Sequence, residues 1–304
     1  MEHIITKAVA TYGIGDALNQ RAFLVSYCKQ KHIPPKSISI YTDKYWWMFE
    51  HLGFKRTILK PRGPNMVAYR NFGIYDLPKT SNQPELDKCI AQNANIDYSF
   101  ETCVLFPRFK PADIDLPEKF ITFNTGYGEL SCLKNNPDYF CLKSWPIEYW
   151  EEFVAKVGVP CVQIGGGPTC IPVKGSALNL VNKLTMQQSA EVMRKAMFHI
   201  DMEGGLAILN QHLGKRSVCL FGPTAIQNQG REFNLNLSSN CCAPCYEWGG
   251  RTGRLFASRT MLLCGHRCMA NLKPDFVLDG INKKGWLDFC PEIESKYMEE
   301  LNAQ

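Results

Sequence analysis

The chain of 304 residues lacks any apolar run close to the ~18 residues that would span a bilayer. It also lacks runs of five or more basic residues, internal repeats and low-complexity tracts. Its 34 lysines and arginines exceed its 29 aspartates and glutamates by only 5, too few for a nucleic-acid-binding stripe. With 45% hydrophobic residues, the chain is too apolar to be disordered. The composition therefore indicates a globular protein with mild attraction to anions.

The N-terminal sequence Met-Glu-His-Ile is polar and acidic, where a signal peptide would be basic and then apolar. We therefore predict a cytoplasmic protein. The 14 cysteines are too dilute for a small disulfide framework, and most should be free thiols packed as small hydrophobic side chains. One dense cluster, residues 241–268, needs a separate explanation.

The first part of the chain alternates predicted strands and helices. Residues 6–12 form a candidate strand, followed by a glycine turn and a helical pattern over residues 17–31. Further predicted elements are strands at 37–42, 55–59 and 102–106 and a helix at 44–51. The pattern predicts an α/β sheet.

A proline-rich segment precedes a new β run at 119–124, so we predict two domains, residues 1–115 and 116–304. In the second domain, Pro146 opens a predicted helix, and Thr185 with Gln188 forms a predicted capping box. Strands are predicted at 159–164, 198–201 and 217–221. Two doubly wound, Rossmann-like halves would bind ligands at the carboxyl ends of their strands, in a cleft between the halves.

Asp16 follows the first predicted strand and its glycine turn. One interpretation is a helix N-cap, worth ~1 kcal/mol. The other is a general base, because a carboxylate at a strand end can reach a substrate hydroxyl.

Gly204 and Gly205 precede a predicted helix, where backbone N–H groups and missing side chains favour a phosphate. A plain turn is the alternative. Asp201 and Glu203 would repel a phosphate unless they face the hydroxyls of a sugar, an arrangement that suits a nucleotide sugar. Lys143 could neutralise the diphosphate, although a single lysine is usually solvated surface.

Two close cysteine pairs suggest a closed metal site. Cys242 and Cys245 are separated by eighteen residues from Cys264 and Cys268, a spacing typical of a structural four-thiolate site for zinc or iron. Chance clustering is the alternative, and Cys241 and His266 leave the ligand set open. No coordination position on the metal would remain for substrate, so the metal would be structural. It would hold in place the segment of chain that contains the cysteines.

Four motifs in order resemble the heptosyltransferase-like family of GT-B glycosyltransferases (family 9), including the autotransporter heptosyltransferases. The similarity is best over residues 118–282. The motifs are Gly13-Ile-Gly-Asp-Ala-Leu18, Lys143-Ser-Trp-Pro-Ile-Glu-Tyr-Trp150, Glu203-Gly-Gly-Leu206 and Leu220-Phe-Gly-Pro-Thr224.

The resemblance implies a GT-B architecture and inverting transfer from a nucleotide-diphosphate sugar without a catalytic metal. Asp16 matches the family's base, Lys143 its phosphate contact and Glu203 its donor-sugar contact, while Thr125 and Gly126 match its phosphate-facing turn. The first domain would then be the acceptor side, and the second would bind the donor. The paired cysteines resemble those of the iron-binding autotransporter enzymes, so iron competes with zinc.

The chain departs from the family at Glu203, where aspartate is usual, and at Ile208, where histidine is usual. The donor sugar therefore stays open, and so does the acceptor, which could be a saccharide, a protein or a modified nucleic-acid base. Homo-oligomerisation is also left open. A rival hypothesis is a non-catalytic, metal-stabilised module that presents Arg251 and Arg254 to nucleic acid or protein, and a GT-B epimerase is a lesser rival.

Overall fold

The computed structural model describes residues 5–10, 13–60, 66–68, 94–99, 102–127, 139–239, 241, 256–258 and 265–293. The chain divides into two compact units, one that includes the chain up to Pro107 and one over Arg108–Glu294. The division falls a few residues before the expected boundary at 115/116. No helix in this described part combines the length and hydropathy needed to cross a membrane.

The first unit is built on a parallel sheet of four short strands around a buried helix, α1 (Ile14–Gln30). The strands are β1 (Lys7–Val9), β2 (Ser39–Tyr41), β3 (Lys55–Thr57) and β4 (Met66–Ala68), in the spatial order β3-β2-β1-β4. Helix α1 begins earlier than predicted, because Gly13 is its N-cap. The helix predicted at 44–51 is wrong, since 3₁₀ turns replace it at Trp46–Met48 and Glu50–Leu52.

The strand predicted at 102–106 is also wrong, and a buried arginine explains the difference. Arg21 of α1 has no exposed surface, and its guanidinium donates to the carbonyl oxygens of Met48 (2.8 Å), Leu105 (2.9 Å) and Val104. Its Cζ atom lies 3.9 Å from the ring centroid of Phe106. These carbonyls bind a side chain instead of a neighbouring strand.

The second unit contains a six-stranded sheet in the order β11-β10-β9-β5-β7-β8, and every strand pair in it is parallel. Strand β5, the first of this sheet in the chain, is central: β7 and β8 are added on one side of it, and β9, β10 and β11 on the other. This is the doubly wound arrangement. The strands are β5 (Ile121–Phe123), β7 (Cys161–Gln163), β8 (Leu178–Asn179), β9 (His199–Met202), β10 (Ser217–Phe221) and β11 (Leu235–Ser238). The predicted α/β class with parallel sheets is confirmed.

Helices and a small antiparallel pair complete the second unit. The helices are α2 (Ile147–Lys156), α3 (Met186–Lys195), α4 (Gly205–Gln211), α5 (Ile226–Gln229), α6 (Arg267–Ala270) and α7 (Pro274–Lys283). Strands β6 (Tyr139–Cys141) and β12 (Phe256–Ser258) pair with each other. The capping box of Thr185 and Gln188 is confirmed at the start of α3. Phe123, Trp150 and Phe198 are fully buried in the core between sheet and helices.

Candidate functional site

The strand order of the second unit fixes where a ligand site is expected. The direction of winding reverses between β5 and β9, and crevices form outside the carboxyl ends of strands at such a point. Residues 124–126 follow β5, and residues 203–205 follow β9. The Asn124 amide donates to the Asp201 carboxylate at 3.2 Å, so the two strand ends adjoin. Four of the predicted site residues lie there beside Glu203: Thr125, Gly126, Gly204 and Gly205.

Lys143 and Glu203 are in direct contact. The Lys143 ammonium donates to the Glu203 carboxylate and lies 3.4 Å from the Glu203 carbonyl oxygen. Their side chains are only 16% and 15% exposed, so solvent screens the ion pair less than it would screen a surface pair. The structure therefore brings together the two charged residues singled out in this half of the sequence, and each balances the other's charge.

Asn124, which the sequence analysis missed, holds the turn after β5 in place. Its Oδ1 accepts the Gly126 N–H (2.9 Å), and its Nδ2 donates to the Gly126 carbonyl (2.7 Å). A Cβ at Gly126 would lie 2.9 Å from Cys170 Cβ, so only glycine fits. The missed signal is an asparagine at the end of an apolar strand, two residues before a glycine, which is typical of an Asx turn.

The Thr125 hydroxyl is bound within the protein. It donates to the Ile171 carbonyl (2.8 Å) and accepts from Gln163 Nε2 (3.2 Å). Gln163 also donates to Ile171 (2.6 Å) and accepts the Val173 N–H (2.7 Å), which fixes the loop after β7. Thr125 therefore shapes this edge of the sheet through its side chain.

Asp201 points into the protein and is 2% exposed. His199 Nε2 lies 3.6 Å from Asp201 Oδ2, and His199 Nδ1 is hydrogen-bonded to the Thr122 hydroxyl at 3.0 Å. Burial raises the pKa of the Asp201 carboxyl, while His199 and Asn124 act to lower it. The carboxylate that could face sugar hydroxyls at this strand end is therefore Glu203.

Asp16 belongs to the first unit and follows β1, which lies between β2 and β4. It lies in the first turn of α1, behind the N-cap Gly13, and is half-buried. The interpretation of Asp16 as N-cap is therefore wrong. Its carboxylate remains at the carboxyl end of a central parallel strand, as the base interpretation requires.

The cysteine cluster is described only in part. Cys242, Cys245 and Cys264 lie outside the described residues, as do Arg251 and Arg254. Cys268 is buried in α6, and Cys241 is exposed. Within the described ranges, no group of three or more His, Cys, Asp or Glu residues could hold a metal ion. His266 Nε2 is hydrogen-bonded to the Leu142 carbonyl at 2.6 Å, which occupies one possible ligand atom of that ring.

The two flanks of the cluster meet in space. Ser239, just after β11, donates to the Cys268 carbonyl at 2.8 Å. Its hydroxyl also lies 3.4 Å from Cys241 Sγ. The segment entering the first cysteine pair therefore contacts the segment that carries the second.

No protein-family model matches the chain, and no curated protein sequence matches it. Solved structures do. The ADP-heptose LPS heptosyltransferase II of E. coli is 12% identical, with a TM-score of 0.60 over 92% of this chain and 98% of its own. The iron-containing dodecameric glycosyltransferase TibC from enterotoxigenic E. coli H10407 is 18% identical, with a TM-score of 0.63 over 91% of this chain and 77% of its own.

A family 9 glycosyltransferase from Veillonella parvula is 12% identical, with a TM-score of 0.61 over 94% of this chain and 98% of its own. At sequence identities this low, the structural similarity establishes the fold alone. The reaction has to be inferred from the residues of the site. The chain therefore has the fold of the heptosyltransferase-like glycosyltransferases, as its sequence motifs predict.

Proposed function

We propose that the chain is an inverting glycosyltransferase that moves a sugar from a nucleotide-diphosphate sugar to an acceptor hydroxyl. The observation that carries this proposal is the shielded Lys143–Glu203 pair at the reversal point of a sheet with this fold. It offers a cation for phosphate and a carboxylate for sugar hydroxyls within one site. The second unit would bind the donor, and the first would present the acceptor.

In the reaction, the acceptor oxygen forms a bond to the anomeric carbon as the bond from that carbon to the diphosphate breaks. Asp16 would take the proton of the acceptor hydroxyl. Lys143 would stabilise the negative charge that develops on the leaving diphosphate. Gly204 and Gly205 have no side chains and would leave room for the phosphates to approach the backbone.

The donor is best sought first among ADP sugars. A structure of TibC contains ADP-D-beta-D-heptose, and a structure of E. coli WaaC contains ADP-2-deoxy-2-fluoro heptose. In this chain the longer Glu203 replaces the family's usual aspartate, and Ile208 replaces its usual histidine, so other sugars belong in the same screen. Saccharide, protein and modified-base acceptors are to be compared, because the first unit favours none of them.

Thermal unfolding with a panel of nucleotide sugars tests the proposal. A ligand that binds only the folded chain raises its Tm, and 100-fold excess over Kd corresponds to about 2.7 kcal/mol. We expect ADP and at least one ADP sugar to raise Tm by several degrees, with adenosine weaker because it has no phosphates. The proposed glycosyltransferase activity would be refuted if no nucleotide sugar of the panel raised Tm and the chain neither hydrolysed nor transferred any donor.

We also propose a structural iron or zinc ion at Cys242, Cys245, Cys264 and Cys268. The bonds of Ser239 that join the two flanks of the cluster support this site, and TibC is described as iron-containing. Four thiolates would close the coordination shell and hold in place the segment of chain that contains the cysteines. The metal would take no part in the transfer.

Elemental analysis of the full chain, purified without added metal, is expected to find one iron or zinc per chain. Cys242→Ser with Cys245→Ser should remove it and lower Tm, because metal-binding free energy is lost from the folded state. Cys290→Ser is the matched control, since Cys290 is a free, half-buried cysteine elsewhere. Full metal content in the double variant would contradict the ligand assignment.

A further inference from the structure

Two ionisable side chains lie inside the donor-side sheet without a role in the reaction described above. His199 and Asp201 are two residues apart on β9, so their side chains share one face of the strand. They are 0% and 2% exposed. Burying a charge is costly unless it is paired and hydrogen-bonded, so the pair calls for a physical reason.

Asp201 lies beneath both glycine turns of the candidate site. Its two carboxylate oxygens accept from Asn124 Nδ2 at 3.2 and 3.4 Å, and Asn124 holds the Gly126 turn. On the other side, a Cβ built at Gly204 would lie 3.8 Å from Asp201 Oδ2. An unbalanced negative charge here would repel a diphosphate bound at these turns.

His199 is the group placed to balance that charge. Both ring nitrogens face oxygen atoms, Nδ1 the Thr122 hydroxyl at 3.0 Å and Nε2 Asp201 Oδ2 at 3.6 Å. Nε2 makes no hydrogen bond among the described residues. The acceptor atom that it faces is Asp201 Oδ2, which lies slightly beyond hydrogen-bonding distance. In the bond between Nδ1 and Thr122 either atom can donate, and an imidazolium ion, with an N–H on each ring nitrogen, is compatible with both contacts.

Two thiols in the described part of the chain also face Asp201. Cys170 follows β7, and Cys219 pairs with Asp201 across β10 and β9. Burial raises the pKa of both thiols, with the Asp201 charge adding to the effect, so both are uncharged near neutral pH. Burial also raises the pKa of Asp201, and the charge of His199 opposes that rise.

We propose that His199 is the buried counter-cation of Asp201, so that the carboxylate can hold the Asn124–Gly126 turn without repelling a diphosphate. His199 and Asp201 are thus positioning residues of the donor site. The inference rests on the proposed function for its ligand, whereas the charge pairing itself can be measured without any ligand.

The first test measures ADP affinity in the full chain at about pH 6 and 8.5. His199→Gln keeps an N–H donor but cannot carry a charge. We expect ADP binding about tenfold weaker than wild type at the higher pH, and a smaller difference at the lower pH, because burial raises the pKa of Asp201 and its protonation is more favourable there. Adding Asp201→Asn to His199→Gln should restore affinity to within about threefold of wild type, because no charge is left to balance.

The control is Glu191→Gln, which removes another buried carboxylate, one bonded to Arg194 and to the Phe109 N–H. It should leave ADP affinity unchanged. If His199→Gln binds ADP as tightly as wild type at the higher pH, or if the double variant does not recover, the inference is overturned.

The second test measures Tm of the same proteins without ligand. In His199→Gln, the folded chain keeps the Asp201 proton to a higher pH than the unfolded chain does. Its stability should therefore fall as pH rises from about 4, whereas that of wild type should fall only above about pH 6.5, where the unfolded chain loses the histidine proton that the folded pair keeps. Adding Asp201→Asn should abolish the fall in the variant. If wild type does not bind ADP, the proposed ADP-sugar donor fails while the Tm measurement still decides the pairing. Equal pH dependence in wild type and His199→Gln would refute the pairing.

Discussion

Asp16→Asn is expected to lower the rate of sugar transfer by about 10²–10⁴-fold, with ADP binding unchanged. Asparagine fits the same position in the first turn of α1 but cannot accept a proton from the acceptor hydroxyl. The loss should fall on kcat, because the proposed base acts on the acceptor, whereas the proposed donor site lies in the other unit. Single-turnover transfer and ADP affinity, measured on one preparation, provide the comparison.

Asp275→Asn is the matched control, since Asp275 also lies in the first turn of a helix, α7. It makes the same change from carboxylate to amide at a helix start and should keep full activity. Turnover within a few-fold of wild type in Asp16→Asn would remove the base assignment. Loss of ADP binding together with turnover would indicate a structural role instead.

Lys143→Met and Glu203→Gln are expected to move ADP affinity in opposite directions. Methionine removes the cation and leaves the Glu203 carboxylate unpaired beside the diphosphate. A lost charge-assisted hydrogen bond is worth about 1.5–3 kcal/mol, so ADP should bind roughly 10–100-fold more weakly. Glutamine releases the ammonium from its partner, so ADP should bind as tightly as in wild type or more tightly, while sugar transfer falls because the contact to the donor sugar is lost.

Lys156→Met is the control for removing a lysine from an ion pair. Lys156 bonds to Glu152 and Asp275 on exposed surface, so its loss should affect neither ADP affinity nor transfer. Isothermal titration with ADP and a transfer assay give both quantities. Weaker ADP binding in both Lys143→Met and Glu203→Gln would show that the pair acts as a structural unit, contrary to the proposed division of roles.

Local pattern was sufficient for much of the fold. The capping box at Thr185 and the predicted β/α alternation depend on residues within one or two turns of each other. Gly158 has φ +76°, which lies in the left-handed region that glycine favours at a helix end. The failed predictions, the helix at 44–51 and the strand at 102–106, are set by distant contacts such as those of Arg21.

The candidate site likewise combines residues that short sequence motifs predict with contacts that they do not predict. Its glycines, Lys143 and Glu203 could be named from the sequence because their motifs are short. The contact between Lys143 and Glu203 could not, since sixty positions separate them. Gln163 and Asn124 were missed because a polar residue in or beside an apolar strand carries no indication of its partners.

The amino-acid sequence by itself determined the α/β class, most of the β/α alternation, and which residues are candidates for the proposed donor site, because each depends on nearby residues. Only the tertiary structure decided that Asp201 points inward, that the Asn124 amide contacts it, and that Thr122 contacts His199. The physical reason is that β5 and β9 are neighbours in the sheet, although the residues they bring together, Thr122 with His199 and Asn124 with Asp201, are 77 positions apart in the chain. Contacts with residues on the neighbouring strand therefore determine where a buried charged side chain points.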